Sequence, residues 1–435
     1  MAGDDHKTMG EAAGAEPTAP VTTGPRRRRG LTALLVALAA LMLVLGLAGG
    51  SAWWALRSER GTAWLLSRLP GLEVVQPRGT LLGDFGAESV VWRFGVGGEL
   101  RLEQVAWQGL GVYRSQSQGA WALVWFDRLH AAAARLTLPE PSQSNREPPP
   151  TQLKLPVELV IRQLQVDAVH ASALGAEPLR GLTAGVHLGA DDGRQHRISA
   201  LAVSRGPMRA QAEVVVGAPA PMASDIQVTL TQAASTAWPA WRADVRLSGP
   251  LAESTLNLRL ATTGTQGPPQ TLQADAVLQP FAEWPLKRLQ ARASGLDVSA
   301  LLAGGPRTGL SGTIDVAAAD AEKPLAARIN IVNAAAGPWE TGALPVRGLL
   351  AELAGSPADR SAAELRSFDI ELGGEQAAGH VRGEGSWRAD GGLALKLALD
   401  GVRPDRLDGR APALTIGGPL TLDWQRPTAG QSGAS

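Results

Sequence analysis

The chain has 435 residues, a formal net charge of +0 and no cysteine. That length allows one large elongated domain or two to three compact ones. The balanced charge gives no electrostatic case for nucleic acid or an acidic partner, and the absence of thiols excludes a disulfide scaffold, thiolate metal sites and a lipoprotein anchor.

Residues 1–25, rich in Ala, Gly, Thr and Pro, read as a disordered tail. Arg26, Arg27, Arg28 and Arg29 follow, and from Leu31 to Leu56 there is no charged residue. About 20 apolar residues suffice to cross a bilayer as a helix. The arginines hold their side in the cytoplasm, so residues 26–56 are expected to be an uncleaved single-pass anchor with the bulk of the chain in the periplasm. Trp53 and Trp54, with Trp64 beyond them, suit an aromatic belt at the outer interface. A cleaved signal peptide ending at Gly50-Ser51-Ala52 fits less well, because the apolar stretch is too long. A twin-arginine signal at Arg28-Arg29 is a weaker reading than a topological anchor.

Within residues 57–71, the pattern predicts a short amphipathic helix over 58–69 with Trp64, Leu65 and Leu69 on one side, ended by Pro70-Gly71. From Leu72 the period changes to two. Residues 72–138 form a first β unit, residues 139–151 a Pro-rich linker or loop, residues 152–425 a repeating β region and residues 426–435 a disordered tail. In the repeating region Ile226, Val228 and Leu230 alternate with polar residues, as do Leu256, Leu258 and Leu260. So do Ile314 and Val316, Ile329 and Ile331, Leu393, Leu395, Leu397 and Leu399, and Leu420 and Leu422. Such alternation gives each strand one apolar face and one watered face. No crossover-length helices intervene, which implies antiparallel pairing.

A repeat runs through this region. Gly295-Leu296-Asp297, Ala300-Leu301 and 310–316 recur without a gap, 106 residues later, as Gly401-Val402-Arg403, Arg406-Leu407 and 416–422. Leu247-Ser248-Gly249-Pro250-Leu251 looks like a further copy of the Ser-Gly-strand element. A period this long suggests stacked multi-strand units that bury their apolar faces in company.

Little in the chain points to chemistry. The six histidines are scattered. His187 and His196 flank Asp191-Asp192-Gly193, a weak cation site for which a solvated hairpin turn is the favoured reading. Gly95-Val96-Gly97-Gly98 is a glycine-rich turn, and no nucleophile elbow, P-loop or dinucleotide fingerprint has supporting context. The carboxylates sit singly on alternating strands, so no acid/base pair is proposed. An enzyme, a cofactor and a bound metal are not expected. The apolar face must instead be hidden by sandwich-like self-packing or remain as a groove lined with hydrocarbon.

Several segments resemble the TamB family, the inner-membrane component of the translocation and assembly module, within the AsmA-like group. They are the basic cluster and anchor, Leu65-Leu66-Ser67-Arg68-Leu69-Pro70-Gly71-Leu72, Pro77-Arg78-Gly79-Thr80-Leu81, 294–301, 308–312 and 333–339. The resemblance implies an inner-membrane-anchored periplasmic protein whose β repeats form an elongated, twisted, taco-like antiparallel groove. It implies phospholipid acyl chains lying on the alternating aliphatic residues, and an outer-membrane barrel of the Omp85 type, TamA, as partner. It associates the chain with autotransporter assembly and outer-membrane biogenesis. Family members are considerably longer, so the chain reads as a truncated product or a fragment. Two other expectations stand beside lipid transport: a scaffold assisting outer-membrane proteins by strand addition, and a closed structural interaction module.

Overall fold

The computed structural model describes residues 50, 54, 56–94, 97–117, 119–137, 150–171, 175–234, 239–263, 269–282, 285–301, 304–317, 325–356, 359–389 and 392–424. The 1–25 tail, Arg26 to Arg29, Trp53, nearly all of the expected anchor, residues 95–96, most of the Pro-rich linker and the 426–435 tail lie outside them. Trp54 is described and is exposed. Among the described residues no helix is long and apolar enough to cross a membrane.

From Leu56 onward the chain is mainly β, as one large sheet. Its first strands are β1 (Leu72–Val75), β2 (Arg78–Gly79), β3 (Gly83–Phe94), β4 (Gly98–Arg114), β5 (Ala122–Thr137), β6 (Val157–Ala171), β7 (Leu179–Gly189), β8 (Gln195–Arg205) and β9 (Met208–Gly217). There follow β10 (Ala223–Gln232), β11 (Ala240–Pro250), β12 (Ser254–Thr263), β13 (Thr271–Leu278), β14 (Leu286–Leu296) and β15 (Leu310–Ala317). The last are β16 (Leu325–Asn333), β17 (Val346–Ser356), β18 (Asp359–Gly373), β19 (Ala377–Arg388), β20 (Leu393–Val402) and β21 (Ile416–Trp424). β1 and β2 both pair with β3, and from β3 every strand pairs with its successor.

One pair departs from the antiparallel expectation. β5 and β6 run parallel. A parallel connection needs a dozen or more residues, and the interval from Thr137 to Val157 is long enough. The first β unit and the repeating region are therefore joined in the same sheet. Leu153 N donates to Ala218 O at 2.8 Å and Trp121 N to Pro156 O at 3.0 Å, which pins the returning chain.

The predicted helix exists as α1 (Glu59–Leu66), with the Ser58 hydroxyl accepting from Gly61 N at its start. Its packed side differs from the expected one: Gly61, Thr62 and Leu66 are buried, while Trp64 and Leu69 are exposed. The sheet decides this. Thr62 Oγ1 accepts from Leu81 N, Glu59 accepts from Gly79 N, and Leu66 packs with Phe85 and Ala87. Phe85 stacks on Trp107 at 4.0 Å. A second apolar cluster holds Val105, Ala131, Ala134 and Val166. Both clusters lie in the amino-terminal part of the sheet.

The sequence repeat is a repeat of structure. Leu296 pairs with Leu310 and Leu289 with Val316; 106 residues on, Val402 pairs with Ile416 and Leu395 with Leu422, with the register shift at the same place. Each copy is strand, short helical turn, strand: the turns are Val298–Ala300 and α2 (Pro404–Leu407). The third expected copy does not match, since Ser248-Gly249 ends β11 where Ser311-Gly312 opens β15.

Candidate functional site

Strand register places every aliphatic candidate of the sequence on one face. A middle row runs Val228, Val245, Leu258, Ala274, Ala291, Ile314, Ile329, Ala351, Phe368, Gly383, Leu397, Leu420. Beside it one row connects Ile226 to Leu422 through Leu256, Val316 and Leu395, and another connects Leu230 to Leu399 through Leu260 and Ile331. No polar side chain interrupts these three rows from β10 to β21. Leu393 continues the face opposite Trp387 and Trp424.

A break in the alternation is repaired by the backbone. Leu365 and Phe368 are three apart in sequence, which strict alternation would put on opposite faces. A bulge at Arg366 carries the extra residue, so Leu365 meets Leu353 and Phe368 meets Ala351, both within the apolar rows.

The opposite face is charged. Arg246 meets Asp225 at 3.1 Å, Arg328 meets Glu352 at 3.2 Å and Lys396 meets Glu384 at 3.3 Å. The Arg242 guanidinium beside Asp244 holds that carboxyl below its usual range, and Arg382 does the same to Asp369 with help from His380. Exposed pairs of this kind add little stability. What they fix is which side of the sheet stays wet.

The bulky side chains of the rows are half-buried, and Leu420 and Leu422 on β21 are exposed at 48% and 44%. None of the aliphatic candidates is buried. Two packed sheets would bury such residues in a shared core, as small Ala243 and Ala276 are buried here. Both apolar clusters lie elsewhere, on β3 to β7 and α1.

At one end of the same face the rows give way to polar residues. Asn333 Oδ1 accepts from Gly309 N at 2.8 Å, and its Nδ2 donates to Val346 O at 2.9 Å. Thr308 Oγ1 accepts from Val298 N, and Thr262 Oγ1 from Gln270 N. Gln232 and Trp241, register partners on this face, are also buried. None of them is among the site candidates of the sequence. Their signal was position: Gln232, Thr262 and Asn333 lie at or next to strand ends, two residues beyond Leu230, Leu260 and Ile331 of the rows.

At the histidine turn the side chains are engaged within the chain. His187 Nε2 lies 2.8 Å from Glu158, His196 lies 2.7 Å from Leu153 O, and Asp191 pairs with Arg194. Among the described residues no group of three His, Cys, Asp or Glu is placed to hold a metal. Glu158 is the organised carboxylate there. Burial pushes its pKa up, but hydrogen bonds from His187, Ser115 and Ser117 outweigh that and hold it below the usual range.

No family model, curated protein or solved structure matches this chain.

Proposed function

We propose that the chain is a TamB-like, inner-membrane-anchored periplasmic protein that carries phospholipid along its aliphatic face toward the outer membrane. The observation that supports this best is the set of three unbroken apolar rows crossing β10 to β21, half-buried and backed by a charged face. At ~4.8 Å per strand the rows extend about 50 Å. An acyl chain laid on them gains roughly 0.8 kcal/mol for each methylene taken out of water, and no bond needs to be made or broken.

The anchor reading rests on the arginine cluster and the charge-free stretch after it. An Omp85-type barrel such as TamA as partner follows only from the family resemblance. The half-burial of the rows argues against a closed interaction module. Strand addition to nascent outer-membrane proteins has one observation in its favour: all nine residues of β21 are exposed.

The test is purification of the full chain in mild detergent, followed by mass spectrometry of the organic extract. Phospholipid in stoichiometric amounts supports the carrier; a protein free of lipid under all extraction conditions removes it. Crosslinks from β21 to unfolded outer-membrane proteins would favour the strand-addition reading.

A further inference from the structure

Gln232 closes β10 and Trp241 is the second residue of β11, and they stand directly opposite each other as the next pair on this face beyond Leu230 and Ala243. Both are 7% exposed. Gln232 Nε2 and Trp241 Nε1 have no hydrogen-bond partner among the described residues. Other polar residues at this end of the face show what is usual here: Thr262, opposite Trp241, and Asn333 on β16 are equally buried, and their side chains are engaged by backbone groups. Two adjacent donors break that pattern. A buried N–H left unpaired costs free energy, so the pair is set to receive an acceptor from outside the described chain.

The kind of acceptor follows from the surroundings. Both groups are neutral, and both unpaired atoms are donors. The face beside them is hydrocarbon, so a ligand that reaches them brings an oxygen acceptor attached to apolar chains. We propose that Gln232 and Trp241 form an oxygen-acceptor site that binds the ester carbonyl or phosphodiester oxygen of an amphiphile whose chains lie on the rows. This rests on the carrier reading above, to which it adds a fixed stop for the polar end of the cargo. Directly opposed side chains on one sheet face lie about 5 Å apart at Cβ, close enough for one headgroup to engage both.

The experiment uses the full chain in mild detergent and three diazirine probes built on one acyl length: a phosphatidylglycerol, a diacylglycerol and a plain hydrocarbon. Adducts are mapped by peptide mass spectrometry. In the double variant Gln232→Met with Trp241→Phe, phosphatidylglycerol labelling on β10 to β12 is expected to fall about tenfold, with hydrocarbon labelling unchanged. A parallel fall for diacylglycerol assigns the ester carbonyl; a fall for phosphatidylglycerol alone assigns the phosphodiester. The lipid-free variant should unfold at the same urea concentration as the native protein or a higher one, because it loses two unpaired donors. Should the double variant fail to fold, Gln232→Met alone carries the same comparison. Unchanged labelling by all three probes overturns the acceptor site and leaves the carrier standing. No labelling of the native protein by any probe overturns both.

Discussion

Leu397 stands directly opposite Leu420 across β20 and β21, and 106 residues earlier Ala291 stands opposite Ile314 in the same place across β14 and β15. The two copies keep register and bulge position while the side chains between the rows differ. What the repeat preserves is a face: the middle-row pair is apolar in both copies, Ala291 with Ile314 in one and Leu397 with Leu420 in the other. A sheet that had to pack a specific core would hold side-chain volume more tightly than this.

A charge on that face should abolish lipid retention, and one on the other face should not. Leu397→Glu places a carboxylate in the middle row, where burying it against hydrocarbon is costly. Ala398→Glu, one residue on, sits on the charged face beside Arg382. The expected outcome is at least about a tenfold loss of co-purified phospholipid for Leu397→Glu and native levels for Ala398→Glu. Equal losses would contradict the facing.

Gly312 and Gly418 occupy the same repeat position but should respond differently to alanine. Both have a φ that L-residues rarely adopt, +153° and +123°. A Cβ on Gly312 would run into the Asn330 carbonyl oxygen of β16, whereas one on Gly418 meets nothing within 4 Å. Gly312→Ala should cost about 3 kcal/mol and Gly418→Ala about 1 kcal/mol, read from urea unfolding midpoints.

Asn333 ties the end of β16 to the strands beside it. Replacing it by Leu removes the acceptor of the Gly309 and Ala335 N–H groups and the Nδ2 donor to the Val346 carbonyl, while Leu344 O keeps the Gly337 amide. A loss of about 2–4 kcal/mol is expected. Its neighbour Val332 is exposed, and Val332→Thr should change stability by less than about 0.5 kcal/mol. Denaturant titration of both variants checks the contrast.

Glu158 should give the fold an acid-sensitive joint. Its carboxyl is held below the ordinary value of 4.5 in the folded state, so the stabilisation is present above that value. It is lost as pH falls through the folded-state pKa. Between about pH 6 and about pH 3 the urea midpoint of the native protein should fall more steeply than that of Glu158→Gln. Parallel curves would mean that the hydrogen bonds from Ser115, Ser117 and His187 contribute nothing to folding.

Much of the fold was legible because a period of two leaves its mark on every strand. Leu393, Leu395, Leu397 and Leu399 announce a strand and its apolar side without any neighbour being known. The helix was legible as an element but not in its orientation. Trp64 and Leu69 are large and apolar, yet the side that packs is the one offering Thr62 to the Leu81 amide and room at Gly61. The bulge at Arg366 was hidden, because an inserted residue reads as a break in the pattern until the facing strand supplies the register. Gln232 and Trp241 were equally hidden: a single Gln at a strand end carries no signal until its partner and its burial are known.

By itself the sequence determined that the chain is built of strands with one oily and one charged side, and that a unit recurs after 106 residues, since alternation and repetition are local properties of the covalent chain. Only the tertiary structure decided that all those oily sides fall on the same face of a continuous sheet, that β6 runs parallel to β5, and that two buried donors at the end of the rows find no partner among the described residues. Register and burial depend on which strands meet, and that is fixed by hydrogen bonds between residues far apart in the chain.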